Sequence, residues 1–116
     1  MTSNLQFEVP NELVLINFWG AAPLKAVPEE GLWFYEIVDQ LGLKLRLSFH
    51  LYERSLQIVI LLREQEIITV VQEGAVQLSI VDDTTLECKF EYRDAFALLK
   101  LQIRPVILIH WSTLLT

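Results

Sequence analysis

The side chains best suited to chemistry in this chain are one cysteine, Cys88, and two histidines, His50 and His110. A nucleophilic cysteine works as the thiolate and needs a histidine or another cation beside it to hold its pKa down. Cys88 alternates with Leu86 and Phe90 in an apolar register, which predicts a buried thiol acting as a small hydrophobe. His50 falls in the polar register with Lys44 and Arg46 and is expected in solvent, while His110 sits between Ile109 and Trp111 with no facing that its neighbours decide. Two histidines and one cysteine this far apart lack the short ligand spacing of a zinc site, so no metal is expected.

The carboxylates give a similar reading. Paired acids can run glycosidase-type chemistry when they face each other across a cleft. Glu87 and Glu91 share a strand face but have Lys89 between them, which suggests a solvated cross-strand charge ladder. Asp82 and Asp83 fall in a turn, where aspartate is favoured for backbone reasons. A DxDxDG calcium loop is absent. So are the phosphate loop, the dinucleotide glycine pattern, GxSxG and HExxH, and four glycines are too few for a phosphate cradle. The reading is of a non-enzymatic chain with no catalytic residues and no cofactor.

Stepping from side chains to the elements that hold them, the clearest stretch is 56–71, with apolar runs flanking Arg63-Glu64-Gln65-Glu66. Eight of its residues are β-branched, which favours a pleated surface over a helix, so it reads as a hairpin with a four-residue polar turn. Residues 58–62 are apolar throughout, which predicts a strand covered on both faces. Residues 43–52 alternate, with Leu45, Leu47 and Phe49 on one side and Lys44, Arg46 and Ser48 on the other. Further strands are expected around Val76–Val81 and Leu86–Tyr92, joined by turns at Glu73-Gly74 and Asp82-Asp83.

Two segments are ambiguous. Residues 32–41 fit either a helix stopped by Gly42 or a strand ending in an Asp39-to-Gly42 type I turn, and the strand is preferred because Val27 is a poor N-cap and Gly31 interrupts a helix start. Residues 95–104 are rich in Ala and Leu yet follow a short turn, and strand is again preferred. Residues 5–9, 12–19 and 106–113 complete the list of strand candidates, with 20–31 a loop. The expected fold is one all-β domain, with room for one short helix: an antiparallel meander of about eight or nine strands forming a sandwich or a small barrel.

Composition narrows the partners. The 116 residues are 53% hydrophobic and 21% charged, with mean hydropathy +0.38, which excludes disorder and leaves apolar surface for a partner or a second copy to cover. No apolar run reaches the length of a membrane span, the N-terminal residues lack the pattern of a signal peptide, and a lone cysteine suits a reducing compartment. A cytoplasmic protein with no membrane role is therefore expected. The formal net charge is −6, and residues 1–42 hold six acids against one base, Lys25. Nucleic-acid binding needs a basic footprint, so it is not expected; the acidic third favours a basic protein partner.

Six of the twelve aromatics lie in the first 35 residues. Tryptophan and tyrosine build cores and also interface hot spots. The candidate partner-binding residues are accordingly Trp19, Glu29, Glu30, Trp33 and Tyr35. The function expected is a protein-interaction domain, an adaptor or an inhibitor or immunity-type protein for a basic partner, with homodimerisation through sheet edges or faces. The alternative is a small barrel enclosing an apolar ligand against Leu45, Phe49, Ile80 and Phe90.

Overall fold

A computed structural model of the chain describes residues 6–115, leaving out the side chains of Tyr92, Leu114 and Leu115. Among the described residues there is one helix, α1 (Glu12–Trp19), one tight helical turn (Pro28–Glu30) and nine strands. Strands β1 (Lys25–Val27), β2 (Leu32–Val38), β3 (Leu43–His50), β4 (Ser55–Leu62) and β5 (Gln65–Glu73) form one antiparallel sheet in chain order. Strands β6 (Ala75–Asp82), β7 (Thr85–Tyr92), β8 (Ala95–Gln102) and β9 (Leu108–Leu115) form a second. The two sheets share one core, built by Leu45, Leu47, Phe49, Ile58 and Ile60 from the first and Leu86, Cys88, Phe90, Leu99 and Leu101 from the second. The meander is as expected, and no barrel closes.

Residues 32–41 and 95–104 form β2 and β8 with their turns, as preferred. The turn after β2 is the expected one: the Gly42 amide donates to the Asp39 carbonyl at 3.1 Å. Residues 12–19 are a helix and not a strand. The deciding signals lie at the ends of that segment, because Asn11 caps it by accepting the Val14 amide at 2.9 Å, and Gly20 closes it in the left-handed region. Leu15, Phe18 and Trp19 then fall at helical spacing on the buried side. The strand candidate at 5–9 falls partly outside the described residues; within them, Glu8 forms a single parallel bridge to Gln77 on the edge of β6.

The hairpin at 56–71 is present, with two corrections. Its turn is two residues, Arg63-Glu64, both at positive φ (53° and 65°). This backbone matches the twist of the flanking strands but strains side chains that carry a Cβ. Replacing Arg63-Glu64 by Asn-Gly raises folding stability by about 1 kcal/mol, read as a shift of the urea midpoint. The Lys44–Glu64 pair at 2.6 Å is lost in that variant, but Glu64 is 70% exposed and the pair contributes little. The second correction concerns cover: Ile58 and Ile60 are buried, whereas Val59 is half-buried on the outer face and Leu62 is exposed.

Gly74 lets the chain pass from β5 in the first sheet to β6 in the second. Its φ is 84°, and a Cβ there would meet the Glu91 carbonyl oxygen at 2.8 Å. Glycine is needed on both counts.

Candidate protein-binding surface

Five aromatic residues of the N-terminal third, all but Phe34, join Phe49 in a column through the core. Trp19 stacks on Tyr35 at 5.3 Å between ring centres, Tyr35 lies 6.3 Å from Phe49, and Trp33 stacks on Phe49 at 5.5 Å. Phe7 meets Phe49 edge-on, and Phe18 meets Trp19 the same way. Strand alternation on β2 aims Trp33 and Tyr35 at the second sheet, and the helical spacing of α1 brings Trp19 down onto them. Trp33 donates its indole N–H to Glu12 at 3.3 Å, tying the helix to β2. The Tyr35 hydroxyl and the Trp19 indole N–H are buried without partners among the described residues. Burial first, and the Glu12 charge second, push the Tyr35 phenol up to about 12.

Of the five residues expected to touch a partner, Trp19, Trp33 and Tyr35 are thus buried, and Glu29 and Glu30 are exposed on the tight turn between β1 and β2. Trp33, at one end of the column, follows Glu30 by three residues at the start of β2. Exposed on the same third are Leu13 and Val14 of α1 and Leu24. Val14 and Phe18 border a groove of about 330 Å³ with Ile80, Asp83 and Arg104. Arg104 forms one wall as a tie: its guanidinium donates to the carbonyls of Phe18 and Asp83 and lies over the Phe18 ring. A helix C-terminus is where a cation is favoured.

The residues with chemical potential do not converge. Cys88 is fully buried on the inner face of β7, and burial drives its thiol far above the ordinary value. His50 lies in the other sheet, where its Nδ1 accepts the Glu53 amide at 3.1 Å. His110 is on β9 opposite Lys100, in the register between inward Ile109 and Trp111. Glu87 does belong to a cross-strand charge pair, but its partner is Lys100 at 3.5 Å. Asp82 accepts both the amide and the hydroxyl of Thr84 at 2.9 Å, a local turn that lowers its pKa. Among the described residues no three His, Cys, Asp or Glu side chains gather into a metal-holding group. Among the described residues no helix is long and apolar enough to cross a membrane. The apolar-ligand alternative finds Leu45, Phe49 and Phe90 buried within the common core and Ile80 packed against it, in two sheets that do not close around a cavity.

Sequence pattern left one surface feature unread. Of the four strands that end the sheets, β5 and β9 are long, and none of their described side chains belongs to the buried core. On β5, Ile67, Ile68, Val70 and Val71 are 53%, 47%, 39% and 61% exposed, although Ile68 and Val70 lie on the inner face opposite buried Ile60 and Ile58. The strand overhangs the second sheet. A run of β-branched residues signals a strand but not whether another layer reaches it.

No family model matches this chain, and no curated protein matches it. Among solved structures, a chain of the contact-dependent growth inhibition toxin–immunity protein complex from Klebsiella pneumoniae 342 has the same fold. The TM-score is 0.85 at 23% identity, and the match covers 95% of this chain and 99% of that one.

Proposed function

We propose that this chain is the immunity half of a toxin–immunity pair, a non-enzymatic inhibitor that binds a basic toxin domain in the cytoplasm. The observation that carries the reading is the likeness over nearly the whole length of both chains to a member of such a complex. Two features favour the inhibitor over the toxin. A toxin needs either converging catalytic groups or a footprint for its target; here Cys88, His50 and His110 lie on separate faces, and acids outnumber Lys and Arg by 15 to 9. The acidic balance suits a partner of opposite sign, which it would draw in by steering.

The docking surface in this reading is the acidic turn carrying Glu29 and Glu30, with Trp19, Trp33 and Tyr35 acting from beneath as a rigid support. Charge reversal at both, Glu29→Lys with Glu30→Lys, weakens toxin binding about tenfold at low salt, mostly in the association rate, and the loss shrinks as salt rises. The function itself is tested by searching the neighbouring reading frames for a toxin domain and expressing it with and without this chain. Restored growth and a complex on titration calorimetry are expected. Continued killing with no measurable heat of binding would overturn the proposal.

Self-association belongs to the same proposal. An unusually apolar composition and the two long edge strands β5 and β9 support a homodimer.

A further inference from the structure

We infer that β5 is the strand through which two copies join, paired antiparallel about a two-fold axis at Thr69 to make one ten-stranded sheet. This deepens the self-association proposed above and is independent of toxin binding. The strand reads Gln-Glu-Ile-Ile-Thr-Val-Val-Gln-Glu from residue 65 to residue 73, nearly the same chemistry in either direction. Laid against itself about Thr69, Ile68 meets Val70 of the second copy, Ile67 meets Val71, Glu66 meets Gln72 and Gln65 meets Glu73. Apolar faces apolar, threonine faces threonine, and each acid faces an amide.

Neighbouring registers are worse. Shifted by one residue in either direction, the strand sets Glu64 or Glu66 against Glu73 of the second copy, and like charges directly opposed repel. A one-residue shift also turns the inner face of one copy to the outer side of the other, because side chains alternate with period two. The Thr69 register keeps both overhanging inner faces on one side, where Ile68 and Val70 of each copy cover those of the other. The irregularity opposite Ile60 and Leu61 sits at Ile67 and bounds the regular stretch. The pairing therefore rests on Ile68, Thr69, Val70 and their immediate flanks. An isologous contact of this kind closes at two copies.

Cysteine cross-linking tests the register. Cα atoms directly opposed in an antiparallel pair are about 4.5–5.5 Å apart, within disulfide range, and native Cys88 is fully buried and gives no background. Thr69→Cys is expected to form a covalent dimer under mild oxidation, whereas Ser112→Cys on the other open edge, β9, is expected not to. In sedimentation between about 5 and 500 µM, Thr69→Lys alone and Thr69→Glu alone should each weaken the dimer at least tenfold, and their equimolar mixture should restore it. A wild-type chain that stays monomeric throughout, a dimer indifferent to Thr69→Lys, or cross-linking at residue 112 in place of 69 would each overturn the inference. Toxin affinity measured on folded Thr69→Lys separates this outcome from failure of the immunity reading, because that variant leaves Glu29 and Glu30 untouched.

Discussion

Replacing Asp39 by alanine lowers folding stability by about 3 kcal/mol, the net loss of its two part-buried hydrogen bonds to a charged acceptor at roughly 1.5 kcal/mol each, the third donor being exposed and free to bond water. The Asp39 carboxylate accepts the amides of Leu41 at 2.8 Å and Leu43 at 3.0 Å through Oδ1, and that of Ile107 at 2.8 Å through Oδ2. The first two shape the β2–β3 turn. The third reaches across 68 residues to the β8–β9 loop, where the Pro105 carbonyl also accepts the Gln40 amide at 3.1 Å. One side chain therefore fastens the two sheets at this end. Partial burial pushes its carboxyl up, but the backbone donors, Ile107 foremost, outweigh that and leave its pKa below the ordinary value. The pH dependence follows. With the folded pKa depressed, the contribution is present above the unfolded value of about 3.9 and is lost as pH falls through the folded value. Asp39→Asn keeps the shape and removes the charge, so its stability should fall less steeply than wild type below about pH 4. Urea midpoints at pH 7 and pH 3 check both results; an alanine variant within about 0.5 kcal/mol of wild type would dismiss the fastening role.

The second large effect appears in alkali. Tyr35 is raised to about 12 by its burial and by Glu12, while in the unfolded chain it titrates near its ordinary value. A raised folded pKa means that its contribution is intact below about pH 10 and is lost as pH climbs towards 12. Over that window the unfolded state releases a proton that the folded state retains, and two units correspond to about 3 kcal/mol. Cys88, raised by burial alone, acts in the same direction from about pH 8.5 upward. Tyr35→Phe isolates the tyrosine. It removes a buried hydroxyl that has no partner, so at pH 7 the variant should be more stable by about 1 kcal/mol. Its advantage over wild type should widen to about 4 kcal/mol by pH 12. Denaturant titrations at pH 7, 10 and 11.5 measure the difference, and a constant gap across them would refute the assignment.

Much of the architecture was legible because strands that bury one face must alternate. Leu45, Leu47 and Phe49 declared the inner side of β3, and Leu86, Cys88 and Phe90 that of β7. The helix was missed because its interior, Leu-Val-Leu-Ile-Asn-Phe-Trp, carries apolar residues at both strand and helix spacing. The decisive information lay in Asn11 and Gly20, which act on orphaned backbone groups and not on hydropathy. The candidate site was legible only in part. Glu29 and Glu30 lie between Pro28 and Gly31 and could be placed on the surface. The aromatics could not, because tryptophan has the same composition signal in a core as at an interface, and only the neighbouring layer decides. The open edge at β5 depends on how far the second sheet extends beneath the first, which no local pattern encodes.

The order of the strands also sets how the molecule assembles. Among the described residues every strand pairing joins neighbours in the chain, so each hairpin can close over a short loop, a topology associated with rapid folding among β proteins. Two contacts that tie distant parts of the chain, Ile107 to Asp39 across the sheets and Arg104 to Phe18 at the helix end, span 68 and 86 residues. During synthesis the first sheet can thus form while its inner face still waits for the second sheet to cover it. Folding speed set by neighbours, with closure held by the last loop, is the kinetic counterpart of the meander.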